Sequence, residues 1–227
     1  MSSQRTSKFR LLLVALLTLL VVQPILGNDE LARVCYTSIW SIVLIVTIFA
    51  ISDVRWQRFV GLGLGLPILP LIWSRHCLTR SAAEALELPT FGLAAIFFAI
   101  VAVMVMQHLV RYEVTADNVA GAVCAYLFLG LGIGTLFSII ETLQPHSFQA
   151  AGHLDQQLAD PAQRRSTLVY FSFVTLTTAG YGDVVPATPL TRTLAMLEAL
   201  LGQFYLAILV AGLVGIRVSR RGDSRSA

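Results

Sequence analysis

Charge is what this sequence has least of. Lys, Arg, Asp and Glu make up 13% of its 227 residues, against 56% hydrophobic residues and a mean hydropathy of +0.75. Soluble domains carry about 25% charged residues, so the composition excludes an ordinary water-soluble fold and calls for a membrane protein. Cysteine is almost as scarce. Cys35, Cys77 and Cys124 show no metal-ligand spacing, which argues against a thiolate metal centre. Two readings remain for them: buried free thiols, or a disulfide between Cys35 and Cys77, both near the outer face in the topology below. The four histidines, His76, His108, His146 and His153, are isolated. They read as solvated loop residues, with pH sensing at His146 or His153 as the alternative. No basic patch interleaved with aromatics is present, so the net charge of +3 speaks of membrane topology, with no nucleic-acid partner. Neither enzyme chemistry nor a cofactor is expected.

What the chain has in abundance is long apolar runs. A bilayer-spanning helix needs about 20 apolar residues, and six runs approach that length: 11–27, 35–51, 59–74, 91–110, 119–140 and 193–216. The third holds Gly61, Gly63, Gly65, Pro67 and Pro70 and is expected to kink. The predicted fold class is all-α integral membrane. A charged segment, "RYEVTADN" at 111–118, separates an N-terminal region of four spans (1–115) from a two-helix module with a re-entrant segment (116–220) and a short cytoplasmic tail (221–227). With the N-terminus inside, the inner segments hold ten of the sixteen basic residues, the direction of the positive-inside rule. The first run also fits a secretory signal peptide: Arg5, Lys8 and Arg10 precede "LLLVALLTLLVV", and Pro24 and Gly27 follow. Cleavage there would leave five spans with the later topology unchanged. "GLGLG" at 61–65 and "GLGIG" at 130–134 lie inside apolar runs and read as close helix packing through small residues, not as nucleotide loops.

The segment "RRSTLVYFSFVTLTT", 164–178, is apolar but too short to cross. With Ser166 as N-cap, a helix of about 12 residues and roughly 18 Å reaches Thr178 and hands over to "AGYGD". Non-helical backbone at membrane depth survives only where protein buries it or it lines a water-filled path. Carbonyls in a row point one way when the backbone alternates between right- and left-handed conformations, and glycine takes the left-handed ones at little cost. Gly180 and Gly182, at every second position, allow the carbonyls of Thr178, Ala179, Gly180 and Tyr181 to line one axis, with the Thr178 hydroxyl as a further oxygen. Four such strands around a shared axis would form oxygen cages able to replace the hydration shell of a monovalent cation; one chain cannot close the ring. The half-helix directs its partly negative C-terminus toward that axis. Asp183 would stand at the outer mouth, bonding backbone amides and attracting cations. Tyr181 would pack outward against Tyr170, Phe171 and Phe173.

"TLTTAGYGD" resembles the selectivity-filter signature of the potassium channel superfamily. Thr177, Thr178, Gly180, Tyr181, Gly182 and Asp183 match the family pattern, and the resemblance extends over about 119–216, including "TPL" at 188–190. It implies passive K+ conduction by a homotetramer, with K+ held at Thr178, Ala179, Gly180, Tyr181 and Gly182 and supported by Thr177 and Asp183. It also implies a multi-pass protein of a bacterial inner membrane, with cytoplasmic termini, an outward-facing filter mouth and a hinge glycine at Gly202. Two positions depart from the pattern. Ala179 stands where Val is usual, which leaves less packing behind the carbonyls. Val174 stands where some relatives carry a Glu that pairs with the mouth Asp, so Asp183 needs another partner.

Glu198 is the single Asp, Glu, Lys or Arg inside a run, and such residues are costly and usually functional. One turn before Gly202, it reads as a hydrogen-bond partner of the pore helix, with the Thr177 hydroxyl in reach, or as an influence on permeation. Gln203 faces the cavity or joins two helices through a hydrogen bond. The fourth run, "FGLAAIFFAIVAVMVMQHLV", has no Arg or Lys, which excludes it as a voltage sensor. The eleven residues after 216 hold no ligand-binding domain, so the gate is expected in the filter, the hinge, lipid or tension, or a separate regulatory subunit. Alternatives to a selective channel are a weakly selective cation channel, a transporter with broken helices and a non-conducting subunit.

Overall fold

The computed structural model describes residues 8–25, 30–51, 55–78, 86–111 and 116–223. Arg5, Gly27, Asp29, Asp53, Arg80, Glu84, Glu113 and Arg225, residues 112–115 of the charged break and the last residues of the tail lie outside the described residues. The described chain is mostly helical, as an all-α membrane protein requires. Its elements are α1 (Lys8–Ile25), α2 (Glu30–Ile51), α3 (Arg55–Cys77), α4 (Glu87–Arg111), α5 (Ala116–Leu143), β1 (Phe148–Ala150), α6 (His153–Ala159), α7 (Pro161–Leu176), β2 (Val184–Pro186) and α8 (Pro189–Asp223). Among the described residues, three helices are long and apolar enough to cross a membrane, over Glu87–Gln107, Asp117–Leu143 and Pro189–Gly212; shorter apolar stretches cover Val34–Ala50 and Phe59–Ser74. The chain packs as two compact units, residues 1–132 and 133–227.

In the first unit each helix lies against its sequence neighbour, α1 on α2, α2 on α3 and α3 on α4. The core is aromatic: Phe98 lies 5.5 Å from Trp40 and stacks on Phe128 at 5.8 Å. Polar ties also join distant segments of this unit. The Trp73 indole donates to Ser41 Oγ at 3.1 Å, and the amide of Arg10 donates to the buried Asp117 carboxylate at 3.2 Å. Cys124 is buried, and Cys35, Cys77 and Cys124 are all free thiols, so the disulfide is not formed. α3 runs without interruption through Pro67 and Pro70.

The second unit differs most from the sequence expectation. Residues 142–164, whose polar, proline-punctuated sequence reads as a loop, contain β1, the short helix α6 and the start of α7. β1 pairs antiparallel with β2, with Phe148 opposite Pro186, Gln149 opposite Val185 and Ala150 opposite Val184. This clasp joins the segment after α5 to the segment after "TLTTAGYGD". Beneath it Phe137, Phe148, Leu158, Leu168, Phe171, Val184 and Ala195 form one core, drawn from every element of the unit. Phe137, Phe148 and Phe171 meet pairwise at 5.2–5.4 Å, a separation suited to edge-to-face contact. The buried Glu141 carboxylate ties down the loop by accepting the amides of His146 at 2.9 Å and Phe148 at 3.0 Å.

Candidate functional site: the segment after the half-helix

The half-helix starts six residues earlier than the Ser166 cap predicts. Asp160 has the extended backbone of an N-cap, φ −78° and ψ 116°, and its carbonyl accepts the amides of Gln163 and Arg164 at 3.0 and 2.8 Å. Pro161 then occupies the first helical position, where its missing N–H costs nothing. The Ser166 hydroxyl donates to Gln163 O at 2.7 Å from within the helix. The helix α7 therefore has 16 residues, about 24 Å at 1.5 Å per residue, still short of a bilayer core of about 30 Å. Two glycines seat it. A Cβ on Gly134 of α5 would lie 2.6 Å from Val169 Cα, and one on Gly202 of α8 would lie 2.0 Å from the Leu176 carbonyl oxygen. Neither position has room for a side chain, so both outer and inner helices approach α7 backbone to backbone. The close-packing reading of "GLGIG" holds at Gly134; α8 meanwhile continues as one helix through Gly202.

At its C-terminus α7 closes in a Schellman arrangement. The Ala179 amide donates to Val174 O at 2.9 Å and the Thr178 amide to Thr175 O at 2.9 Å, the pair of bonds that satisfies the last helical carbonyls. The residue at the left-handed position, where glycine is customary, is Thr178, with φ 57°. Gly180 and Gly182 follow at φ 55° and 77°. Left-handed backbone thus falls on 178, 180 and 182, one step more than the glycines alone predict. For a β-branched residue this is an outlier that costs on the order of 1–3 kcal/mol. Its retention makes sense through the hydroxyl, which glycine lacks: Thr178 Oγ1 accepts a hydrogen bond from the Gln203 amide at 2.9 Å.

The outer end is held differently. The Asp183 carbonyl accepts the Ala151 amide at 2.8 Å, which extends the clasp by one bond. Its carboxylate is engaged on both oxygens, by the Tyr170 hydroxyl at 2.5 Å and by the Val184 amide at 3.0 Å. The partner that Val174 cannot supply is therefore Tyr170, one turn back along α7. Tyr170 bonds Asp183 and Phe171 joins the aromatic core, while Tyr181 stands 71% exposed in the single chain. Residues 177–182 are all exposed. A ring of backbone oxygens needs that exposure on one side and neighbours on the other.

Inner-helix residues meet α7 and the motif at two further points. Glu198, 1% exposed, accepts the hydroxyl of the fully buried Ser172 on Oε1, and its Oε2 has no hydrogen-bond partner among the described residues. The expected contact with Thr177 does not form, because that hydroxyl donates back to Phe173 O at 2.6 Å. Gln203 donates to Thr178, beyond the end of α7, so its hydrogen bond joins the inner helix to the motif and not to a second helix. The inner helix itself begins with Thr188 and Thr191 bonded reciprocally: each backbone amide donates to the other hydroxyl, at 3.2 and 3.3 Å. This is a threonine version of the capping box with Pro189 at the first helical position. Thr191 also donates to Ser147 O at 3.0 Å, so the "TPL" segment is anchored to the clasp. Sequence reasoning missed Tyr170 as the Asp183 partner, Ser172 and the Asp160–Pro161 helix start; only the last carries a local signal, Asp followed by Pro.

Residues 152–217 match the ion-channel family. Relatives include two pore potassium channel c of Oryza sativa subsp. japonica, 39% identical over 56 residues, which are 25% of this chain and 12% of that protein. Two-pore potassium channel 5 of Arabidopsis thaliana is 46% identical over 46 residues, 20% of this chain and 11% of its own length. The calcium-gated potassium channel TvoK of Thermoplasma volcanium is 45% identical over 60 residues, 25% of this chain and 17% of its own. The matches thus span less than a fifth of these relatives. No solved structure matches the chain. The similarity thus falls on residues 152–217, which hold the half-helix, the motif and most of the inner helix: this part of the chain is similar to the ion-channel family, and segments of 46–60 residues are similar to potassium channels.

Proposed function

We propose that the chain is one subunit of a homotetrameric, potassium-selective channel that conducts K+ passively. Residues 116–220 supply the pore and the helices of 1–115 surround or stabilise it. The observation that carries the reading is the left-handed backbone at 178, 180 and 182, directly after a half-length helix and directly before Asp183. That alternation turns successive carbonyls to one side, and fourfold repetition would stack the oxygens of Thr178, Ala179, Gly180 and Tyr181 into cages for a dehydrated K+. Gly182 and Asp183 end the strand at an outward-facing mouth, and Thr177 supports its base. The names of the potassium-channel relatives support the choice of ion. Both termini are assigned to the cytoplasmic side on the distribution of basic residues, and the bacterial inner membrane is assigned on the compact architecture and the resemblance to small prokaryotic members. The apolar run 91–110 lacks Lys and Arg, so opening is assigned to the filter, the inner-helix hinge, lipid or tension, or a separate regulatory subunit rather than to membrane potential.

Purified protein in liposomes is expected to pass K+ much faster than Na+ down a gradient, with no coupling ion and with block by Ba2+. Gly180→Ala, which puts a side chain at φ 55°, is expected to abolish selective K+ flux. Equal Na+ and K+ flux would instead identify a weakly selective cation channel, with Ala179 as the cause to examine. Dependence on a proton gradient would identify a transporter.

A further inference from the structure

We propose that Gln203 is a positioning residue for the inner end of the filter, which sets ion preference at the innermost oxygen cage by holding the Thr178 hydroxyl. The inference rests on the filter reading above and goes beyond it by assigning a role to an inner-helix side chain.

The directions of the backbone carbonyls follow from φ and ψ, which the Schellman closure and the glycines govern. The Thr178 hydroxyl is different. Of the two side-chain oxygens among residues Thr178 to Tyr181, the other being the Tyr181 phenol, it is the one assigned to a cage, and its direction depends on χ1, which backbone geometry alone does not settle in a left-handed residue. An external partner must choose it. Gln203 is that partner, at 2.9 Å across 25 residues of sequence. A hydroxyl oxygen has two acceptor positions; the amide occupies one and leaves the other for an ion.

The amide is a firm support because the helix beneath it is immobilised. Gly202, the preceding residue, presses on the Leu176 carbonyl with no room for a Cβ. One turn earlier the Glu198 carboxyl is bound to Ser172 in a fully buried contact. Gln203 therefore extends from a segment seated on α7 at two points, and α8 is unbroken through it. In this arrangement Gly202 acts as a seat, and the segment 198–203 forms a splint along the end of the half-helix. Any motion of α8 that separates Gln203 from Thr178 frees the hydroxyl, so inner-helix position and ion occupancy at the inner cage are linked through this bond.

The test is K+ and Na+ flux in liposomes for wild type, Gln203→Leu, Thr178→Ala and the double variant. Gln203→Leu is expected to change the K+/Na+ flux ratio about two- to twelve-fold, the span of one uncharged hydrogen bond, and to change it less than about two-fold when Thr178 is already Ala. An unchanged ratio in Gln203→Leu, or an equal change in both backgrounds, overturns the proposal. Equal K+ and Na+ flux in the wild type overturns the filter reading itself, a separate outcome. Should Thr178→Ala carry no flux, thermal unfolding of purified wild type and Gln203→Leu is followed against K+ concentration, since an ion bound only by the native state stabilises it. A shift of the K+ midpoint by about two- to twelve-fold supports the role, and an unmoved midpoint rejects it.

Discussion

The two ends of the segment 178–183 are fastened by different means. At the outer end Asp183 is held by backbone and core: the β1–β2 clasp, the Ala151 amide, the Tyr170 hydroxyl and the packed rings of Phe137, Phe148 and Phe171. At the inner end Thr178 is held by the helix closure on one side and by a single exposed side chain, Gln203, on the other. The outer end is thus part of the fold, whereas the inner end depends on where the inner helix stands. A structure that must be rigid at one end and responsive at the other can be built this way, because sheet and core move only by unfolding while a side-chain contact breaks alone.

That contrast can be broken deliberately. The largest effect is expected from Gly202→Ala. Its methyl group would sit 2.0 Å from a backbone oxygen, a clash with no flexible side chain to yield, so the loss should exceed the ~1–3 kcal/mol usual for overpacking. Thermal unfolding in detergent should show the loss, and a variant as stable as wild type would mean that the helices are not seated as described. Next comes Phe137→Ala, which removes the centre of the outer core and should cost about 3–5 kcal/mol. If the outer end is part of the fold, stability and flux should fall together over one unfolding transition; a stable protein with altered selectivity would erase the distinction between the ends. The smallest effect is expected from Tyr170→Phe. It deletes one donor to Asp183 on a partly exposed pair, worth about 1 kcal/mol, and leaves the clasp and the Val184 amide in place. K+ flux should persist with a few-fold change in its K+/Na+ ratio. Complete loss of conduction would show that the hydroxyl, not the clasp, holds the mouth.

Much of the site was legible in the order of residues. Glycine at every second position announced the alternating backbone, because no other residue takes the left-handed form so readily. Two features were hidden for physical reasons. Thr178 in a left-handed conformation runs against its own preference, so no local rule predicts it; the helix closure and the Gln203 bond stabilise it from outside. Tyr170 and Asp183 are 13 residues apart and Ser172 and Glu198 are 26 apart, and such pairings exist only after α7 has been packed between α5 and the inner helix. The clasp was missed because its strands have three residues each, too few for alternation to register.

By itself, then, the sequence determined the solvent and the chemistry: a chain too apolar for water, with one stretch whose glycines expose backbone oxygens. Those follow from composition and from the conformational range of single residues, which need no partners. Tertiary structure decided what holds the stretch in place, because hydrogen bonds between distant side chains and the absence of space beside Gly134 and Gly202 are properties of surfaces brought together. Asp183 acquired Tyr170, Glu198 acquired Ser172 and Thr178 acquired Gln203 only when the helices met.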